Sequence, residues 1–380
     1  MARAQLLYCV TDNEVFDALL SGRQQFNEKA LLNIARQRGI YYSSQEDRVS
    51  LINKISSLTF GFHEIAALQA EFERSGRGEK TTSFRLNTAL TLEEIKTITE
   101  TYSVVAKEEG DKASIYPIGE TGFTVDLKYD ELDLSRTRLR QKQTKEARIE
   151  FKNVDGVTIV TLPATEKSRH VAEFLAEKVR SVKQEKVSVD EVDLSILTDS
   201  NSRTEFFLRL MSAIPKFKPN NVTKVRVDSK IAASDADNDD TEESSNNEEA
   251  DEMLAVVKAV ALQGQSLLSS SEFQGLRSRG FYITSIQWSA KRTESPYEIV
   301  EFDAAFADPE AGTGFKYSAR GWSTYKDGKY TKGFNVMPQQ EKAKMLQELE
   351  QSAMKVFKEL QAEVISSAAA IIVIPEVGGQ

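Results

Sequence analysis

Hydrophobic residues in the first 75 positions recur at helical spacing. Val15, Phe16, Leu19 and Leu20 share one helix face behind a capping box formed by Thr11 and Glu14. Ala30, Leu31, Ile34 and Ala35 mark a second helix, which stops at Gly39. After the extended stretch Ile40–Tyr42, Ser43 and Glu46 form another capping-box pattern. It predicts a third helix with Val49, Leu51, Ile52 and Ile55 inward. Residues 75–80 are small and charged without periodicity, and read as a linker.

From residue 81 the period switches repeatedly between helix and strand. Thr91 and Glu94 predict a capped helix bearing Ile95, Ile98, Tyr102 and Val105, and residues 112–130 alternate as two strands around Gly119–Gly122. The runs "ARIEF" and "VTIVTL" flank Asn153–Gly156, where Asp-Gly supplies the positive φ angles of a hairpin turn. A helix with Val171, Phe174, Leu175 and Val179 follows, then one capped by Ser202 and Glu205, then a strand from Val222 to Val227. Beyond 253 the pattern predicts helix through Leu254–Leu268 and Glu272–Ser278. Four antiparallel strands follow ("FYITSIQW", "YEIVEFDAAF", "GFKYSARGW", "KYTKGF"), then a long helix after Pro338. The expected class is α+β: a helical module (1–75), a mixed central domain (81–230), an acidic insertion (231–252), and a C-terminal antiparallel sheet with flanking helices (253–380).

Charge changes this picture in one place. The net charge is −9, yet residues 235–252 hold ten acidic residues and no basic one, and elsewhere 49 basic residues face 48 acidic ones. The tract is too poor in apolar residues to offset its ordering entropy, so disorder is expected there. Its alternating Asp235, Asp237 and Asp239 fail as a calcium loop, because Asp240 stands where glycine is needed and Asn246 where glutamate is needed. A flexible polyanion competing with nucleic acid for basic surface is one reading; a solubilising loop is the other.

Cys9 alone excludes an internal disulfide, and with His63 and His170 it makes no zinc set; no metal or cofactor is expected. The first residues carry only a short apolar run broken by Thr11–Glu14, and Val364–Ile374 is about half a membrane span. A cytoplasmic chain with no membrane partner is the expectation. Phosphate-loop, dinucleotide and nucleophile-elbow motifs are missing.

Three stretches are candidates for DNA contact. Residues 28–58, "EKALLNIARQRGIYYSSQEDRVSLINKISSL", resemble the SAP and helix-extension-helix family through Leu32, Ile34, the Arg38-Gly39-Ile40 corner, Ser43-Ser44, Leu51-Ile52 and Ile55. The resemblance implies a two-helix module that binds DNA, or in some relatives protein, and makes Arg36, Arg38 and Arg48 candidate contacts. A plain helical hairpin with Gly39 at its C-terminal cap fits the same residues. In the second stretch Arg136, Arg138 and Arg140 alternate ahead of Lys142; extended, they would face a phosphate backbone, and coiled, they would form a solvated loop. The third interleaves Lys316, Arg320, Lys326 and Lys329 with aromatics including Trp322 and Tyr325. That suits a single-strand binder, and equally a half-buried sheet.

Glu150-Phe151-Lys152 on a strand, with Asp126, Asp130 and Asp133 upstream, resembles the restriction-nuclease-like superfamily, whose carboxylates hold Mg²⁺. The leading expectation is a non-catalytic DNA-associated protein. The alternatives are a protein adaptor, using the N-terminal module and the C-terminal helix (which could also pair with a second copy), and a Mg²⁺-dependent nuclease.

Overall fold

The computed structural model describes residues 10–73, 79–118, 122–183, 187–229, 259–264, 267–326, 329–331 and 333–372. The acidic tract and most of the 75–80 linker lie outside them. The class is α+β. The chain divides into two compact units, Met1–Glu79 with Thr91–Ile149, and Lys80–Leu90 with Glu150–Gln380. The sequence ranges 1–75 and 253–380 each fall within one unit, while 81–230 is distributed over both.

The first unit opens with helices α1 (Asp12–Ser21), α2 (Glu28–Gln37), α3 (Arg48–Ser56) and α4 (Phe62–Glu73). Val15, Leu19, Leu31, Leu51, Ile52, Ile55 and Phe72 form their shared core. The Thr11–Glu14 capping box is present as expected. The Ser43–Glu46 box is not: Asp47 caps α3, its carboxylate accepting from the Ser50 amide at 2.9 Å, and Ser43–Glu46 forms the preceding turn. Helix α5 (Leu92–Glu109) carries the expected Thr91–Glu94 box, and strands β2 (Lys112–Ile118) and β3 (Gly122–Leu132) pair antiparallel. A single helical turn, α6 (Arg138–Gln141), precedes β4 (Lys142–Val154), whose last five residues belong to the second unit.

On this unit's sheet Arg148 donates twice to the Asp126 carboxylate, at 2.8 and 2.9 Å, and the Tyr116 hydroxyl donates to it as well. The Arg148 hydrogen bonds hold the Asp126 carboxyl below the ordinary aspartate value. A depressed folded-state pKa adds stability above the unfolded-state value, and that stability is lost as pH falls through the folded value. Asp126→Asn is therefore expected to lower stability at neutral pH and to flatten its decline on the acid side. Urea midpoints followed across that range check this; parallel curves for the two proteins would contradict it.

In the second unit β1 (Thr81–Leu86) lies between β5 (Val157–Pro163) and β11 (Thr313–Ser323). The order continues through β10 (Ile299–Asp308), β9 (Tyr282–Arg292) and β7 (Phe217–Asp228) to β8 (Ala259–Gln263). The two-residue strand β6 (Val189–Asp190) also pairs with β1. The β4–β5 hairpin turns at Asp155 and Gly156, both with positive φ, as the Asp-Gly pair predicts. Residues 259–263, expected to be helical, are instead strand β8. Their apolar Ala-Val-Ala-Leu run suits either form, and pairing with the free edge of β7 decides it.

Helix α7 (Glu166–Lys183) packs on β5. Helix α8 (Ser200–Ala213) is capped by Asp199, not by the expected Ser202, whose amide donates to the aspartate at 2.8 Å. In both misplaced caps an aspartate displaces a serine, because an ionised acceptor makes the stronger bond. Helix α9 (Ser271–Ser278) follows the expected course, and α10 (Gln339–Ile372) is the long C-terminal helix.

One face of this sheet is packed against α8, α9 and α10. Phe206, Phe207, Leu210, Leu349, Ala353 and Phe357 meet Trp288, Phe302, Phe306, Phe315 and Tyr317. The apolar stripe of α10, from Met345 to Leu360, is buried in this core. Among the described residues no helix is long and apolar enough to cross a membrane.

A bidentate ion pair ties β1 to α10, with Arg85 donating to both oxygens of Glu350 at 2.9 Å. The Glu350 side chain is 6% exposed. Breaking a buried pair strands the remaining charge, so Glu350→Ala is expected to cost about 3 kcal/mol in urea unfolding. The double change Arg85→Met with Glu350→Leu is expected to recover most of that loss.

Candidate nucleic-acid interface

Residues opposite one another in an antiparallel pair project to the same face. The register of β7, β9, β10 and β11 therefore defines what the second face of the sheet carries. Lys218 pairs with Lys291, Asn221 with Ser289, Lys224 with Gln287, and Arg226 with Ser285. Continuing outward, Ser289, Gln287 and Ser285 pair with Glu301, Asp303 and Ala305, and Asp303 and Ala305 pair with Ser318 and Lys316. Each of these residues alternates with a buried apolar neighbour on the helix-covered side, such as Val222, Val225, Ile286, Trp288, Phe302 and Tyr317.

The β10–β11 register slips once. Ala319 pairs with Phe302 and Gly321 with Glu301, which leaves Arg320 as the extra residue of a β-bulge. The bulge aims Arg320 across the polar face. Its guanidinium donates to the Gln287 side-chain oxygen at 2.9 Å and lies 3.8 Å from both Glu301 and Asp303. The Lys80 ammonium reaches Asp303 at 2.5 Å, and Gln287 donates to Glu301 at 2.7 Å. Beyond the bulge the alternation is reset, so Trp322 stands opposite Val300 and packs against the core.

Among the described residues this face gathers the cations Lys80, Lys218, Lys224, Arg226, Lys291, Lys316 and Arg320. The carboxylates among them are Glu301 and Asp303, with Asp228 paired to Arg226 at 3.6 Å. Lys218, Lys224 and Lys291 are exposed and have no carboxylate partner among the described residues. Lys316 is half-buried at the border, next to Gly314. There φ is +68°, and a Cβ would sit 2.7 Å from the Arg169 guanidinium of α7, so only glycine fits. Burial first, then the neighbouring cations Lys80 and Arg169, hold the Lys316 ammonium below the ordinary lysine value against the pull of Asp303. Small side chains (Ser285, Ser289, Ala305 and Ser318) form the floor between the charges.

A two-strand hairpin, β12 (Tyr325–Lys326) and β13 (Lys329–Tyr330), adjoins the Lys218–Lys291 end of the face. The Tyr325 and Tyr330 rings are 4.9 Å apart between centroids, and the Lys291 ammonium lies 5.6 Å from the centre of Tyr330. Tyr325 is 44% exposed, and Lys329 is exposed beside it.

The structure brings together Lys316 and Arg320 on the sheet, and Tyr325, Lys326 and Lys329 on the hairpin. Trp322 goes to the core side. Lys218, Lys224, Arg226 and Lys291 were not singled out in the sequence. Their signal is the alternation of basic with apolar residues in "VTKVRV" and "WSAKR", but only the long-range register shows that they share a face with Arg320.

The first unit uses its candidate cations differently. Arg48 donates to the Phe26, Leu19 and Leu20 carbonyls, closing the end of α1. Arg38 pairs with Glu64 at 2.6 Å and covers the Phe60 ring, while Arg36 is exposed. Arg138 to Gln141 is a helical turn, so Arg136, Arg138 and Arg140 do not project in one extended row. Arg136 pairs with Asp133, Arg138 with Glu14 and Lys142 with Asp130, and Arg140 lies over the Phe72 ring.

The carboxylates of the nuclease pattern are engaged in the same way. Asp126, Asp130 and Asp133 hold Arg148, Lys142 and Arg136, and Glu150 pairs with Lys152 at 2.9 Å. No group of three or more His, Cys, Asp or Glu among the described residues is arranged to hold a metal. Neither the scan of protein-family models nor the search of curated proteins found a match to the chain.

Lysines placed directly opposite across β7 and β9 repel each other. Lys291→Glu is expected to stabilise the protein by about 0.2–1 kcal/mol at low ionic strength, a gain that shrinks as salt screens the charges. Thermal unfolding of both proteins at low and high salt measures it; equal stability at low salt would remove the repulsion from the account.

Proposed function

We propose that this chain is a non-catalytic, DNA-associated protein that contacts phosphate through the basic face of its second unit. The observation that carries this reading is the concentration of cations on that face in a chain whose net charge is −9, with Lys218 held opposite Lys291. Cations with no carboxylate partner among the described residues can neutralise phosphates, and the counterions this releases give an affinity that falls steeply with salt. The engagement of every nuclease-pattern carboxylate with a cation supports a binding role over hydrolysis. The helical module resembling the SAP family adds the exposed Arg36 as a further point of attachment in this reading. A protein-adaptor reading draws on a different observation, the exposure of Val336 at 82% and Phe334 at 44% beyond the hairpin.

Fluorescence anisotropy of a labelled DNA oligonucleotide against salt tests the proposal. The triple variant Lys218→Ala, Lys224→Ala, Lys291→Ala is expected to make the slope of log affinity against log salt shallower by about 2, because each single-strand phosphate that is no longer neutralised reduces it by about 0.7. An unchanged slope in a folded triple variant would rule out this face. A stoichiometric complex with protein that survives nuclease and high salt, with no DNA binding by wild type, would favour the adaptor.

A further inference from the structure

We infer, resting on the DNA-binding reading, that the ligand of this face is a single strand and that the Tyr325–Tyr330 pair is where a base stacks. Three features of the surface point this way. First, the cations stand on neighbouring strands of a sheet, about 4.8 Å apart from strand to strand, around a floor of small side chains. That is a surface on which a strand can lie with its bases against protein. Second, a helix or a two-stranded ribbon reads a duplex by entering its major groove. The hairpin β12–β13 beside this face has just two residue pairs, Tyr325 with Tyr330 and Lys326 with Lys329, too short a ribbon for that. Third, the tyrosine rings are tilted at 54° and left partly open, with Lys291 over one of them. An exposed ring beside a cation offers a stacking face and a phosphate-binding charge within one nucleotide's reach.

The floor between the charges is internally paired: Gln287 accepts from Arg320 and donates to Glu301, and Ser289, 6% exposed, accepts from Asn220 and donates to the Asn221 carbonyl, which leaves recognition to the cations and the tyrosine ring. Stacking is sequence-tolerant because every base has a π-face, so the expected ligand class is single-stranded nucleic acid with little sequence preference.

The experiment uses the full chain and three labelled probes with equal numbers of phosphates: a single strand, a hairpin duplex, and a strand of abasic sites. Wild type is expected to bind the single strand at least about tenfold more tightly than the other two. Tyr325→Ala is expected to lose about tenfold on the single strand, with no change on the abasic strand and no change in salt slope. Tyr325→Trp should hold or exceed the wild-type affinity, which separates stacking from mere folding damage. Equal binding of duplex and single strand, or full single-strand affinity in Tyr325→Ala, would overturn the inference while leaving the DNA reading in place. Failure of wild type to bind any of the three probes would overturn both.

Discussion

The sheet of the second unit buries one face and leaves the other polar, and its architecture turns on that asymmetry. Helices α8, α9 and α10 supply enough apolar surface to cover β7, β9, β10 and β11 from one side, with Phe206 and Phe207 seated among Phe306 and Phe315. Every second residue of those strands must then be apolar. The residues between are released from packing and free to carry charge. The Arg85–Glu350 pair extends the same layer to β1, holding α10 over the strand that borders Lys316. The helices act on the interface from behind: by fixing which face is core, they fix which residues the opposite face presents.

The bulge at Arg320 refines this arrangement. Without an extra residue, Trp322 would stand on the polar face and Arg320 would align with Ser318 and Lys316 in a regular row. With it, the indole returns to the core and the guanidinium lies across Gln287, Glu301 and Asp303. Those two carboxylates need cations because their surroundings are largely desolvated, Asp303 being 8% exposed. Lys80 and Arg320 serve them, while the lysines nearer β7 have no carboxylate partner among the described residues. Among the described residues the face is thus graded, neutralised at the β10–β11 side and cationic toward β7.

Local pattern revealed much of this structure. The first three N-terminal helices, the Thr11 and Thr91 caps, the Asp155-Gly156 hairpin and the strands from 282 to 323 all follow from spacing and turn chemistry. What local pattern could not supply was competition and register. Asp47 and Asp199 displaced the serine caps because a charged acceptor was available a few residues away. Strand β8 looked helical because alanine and leucine serve either form until a neighbouring strand edge recruits them. The basic face was hidden for the same reason: Lys218 and Lys291 are 73 positions apart in the sequence, and bulges in β7 break the simple alternation that would have aligned them. Conversely, the arginines of 136–140 formed a conspicuous run in sequence, yet the fold gave each a partner inside the first unit.

The interleaving of the two units has a consequence for how the chain is made. Strand β1 belongs to the second unit but is translated between the two pieces of the first. Its neighbour β11 arrives more than two hundred residues later; the Thr82 hydroxyl waits for the Phe315 carbonyl 233 positions downstream. At synthesis rates of about 5–20 residues per second, that is a delay of roughly ten seconds to most of a minute. Throughout it the β11-side edge of β1 lacks its partner. A nascent chain with an open strand edge is what holdase chaperones recognise, and shortening the sequence between β1 and β11 would act on folding yield before it acted on the finished molecule.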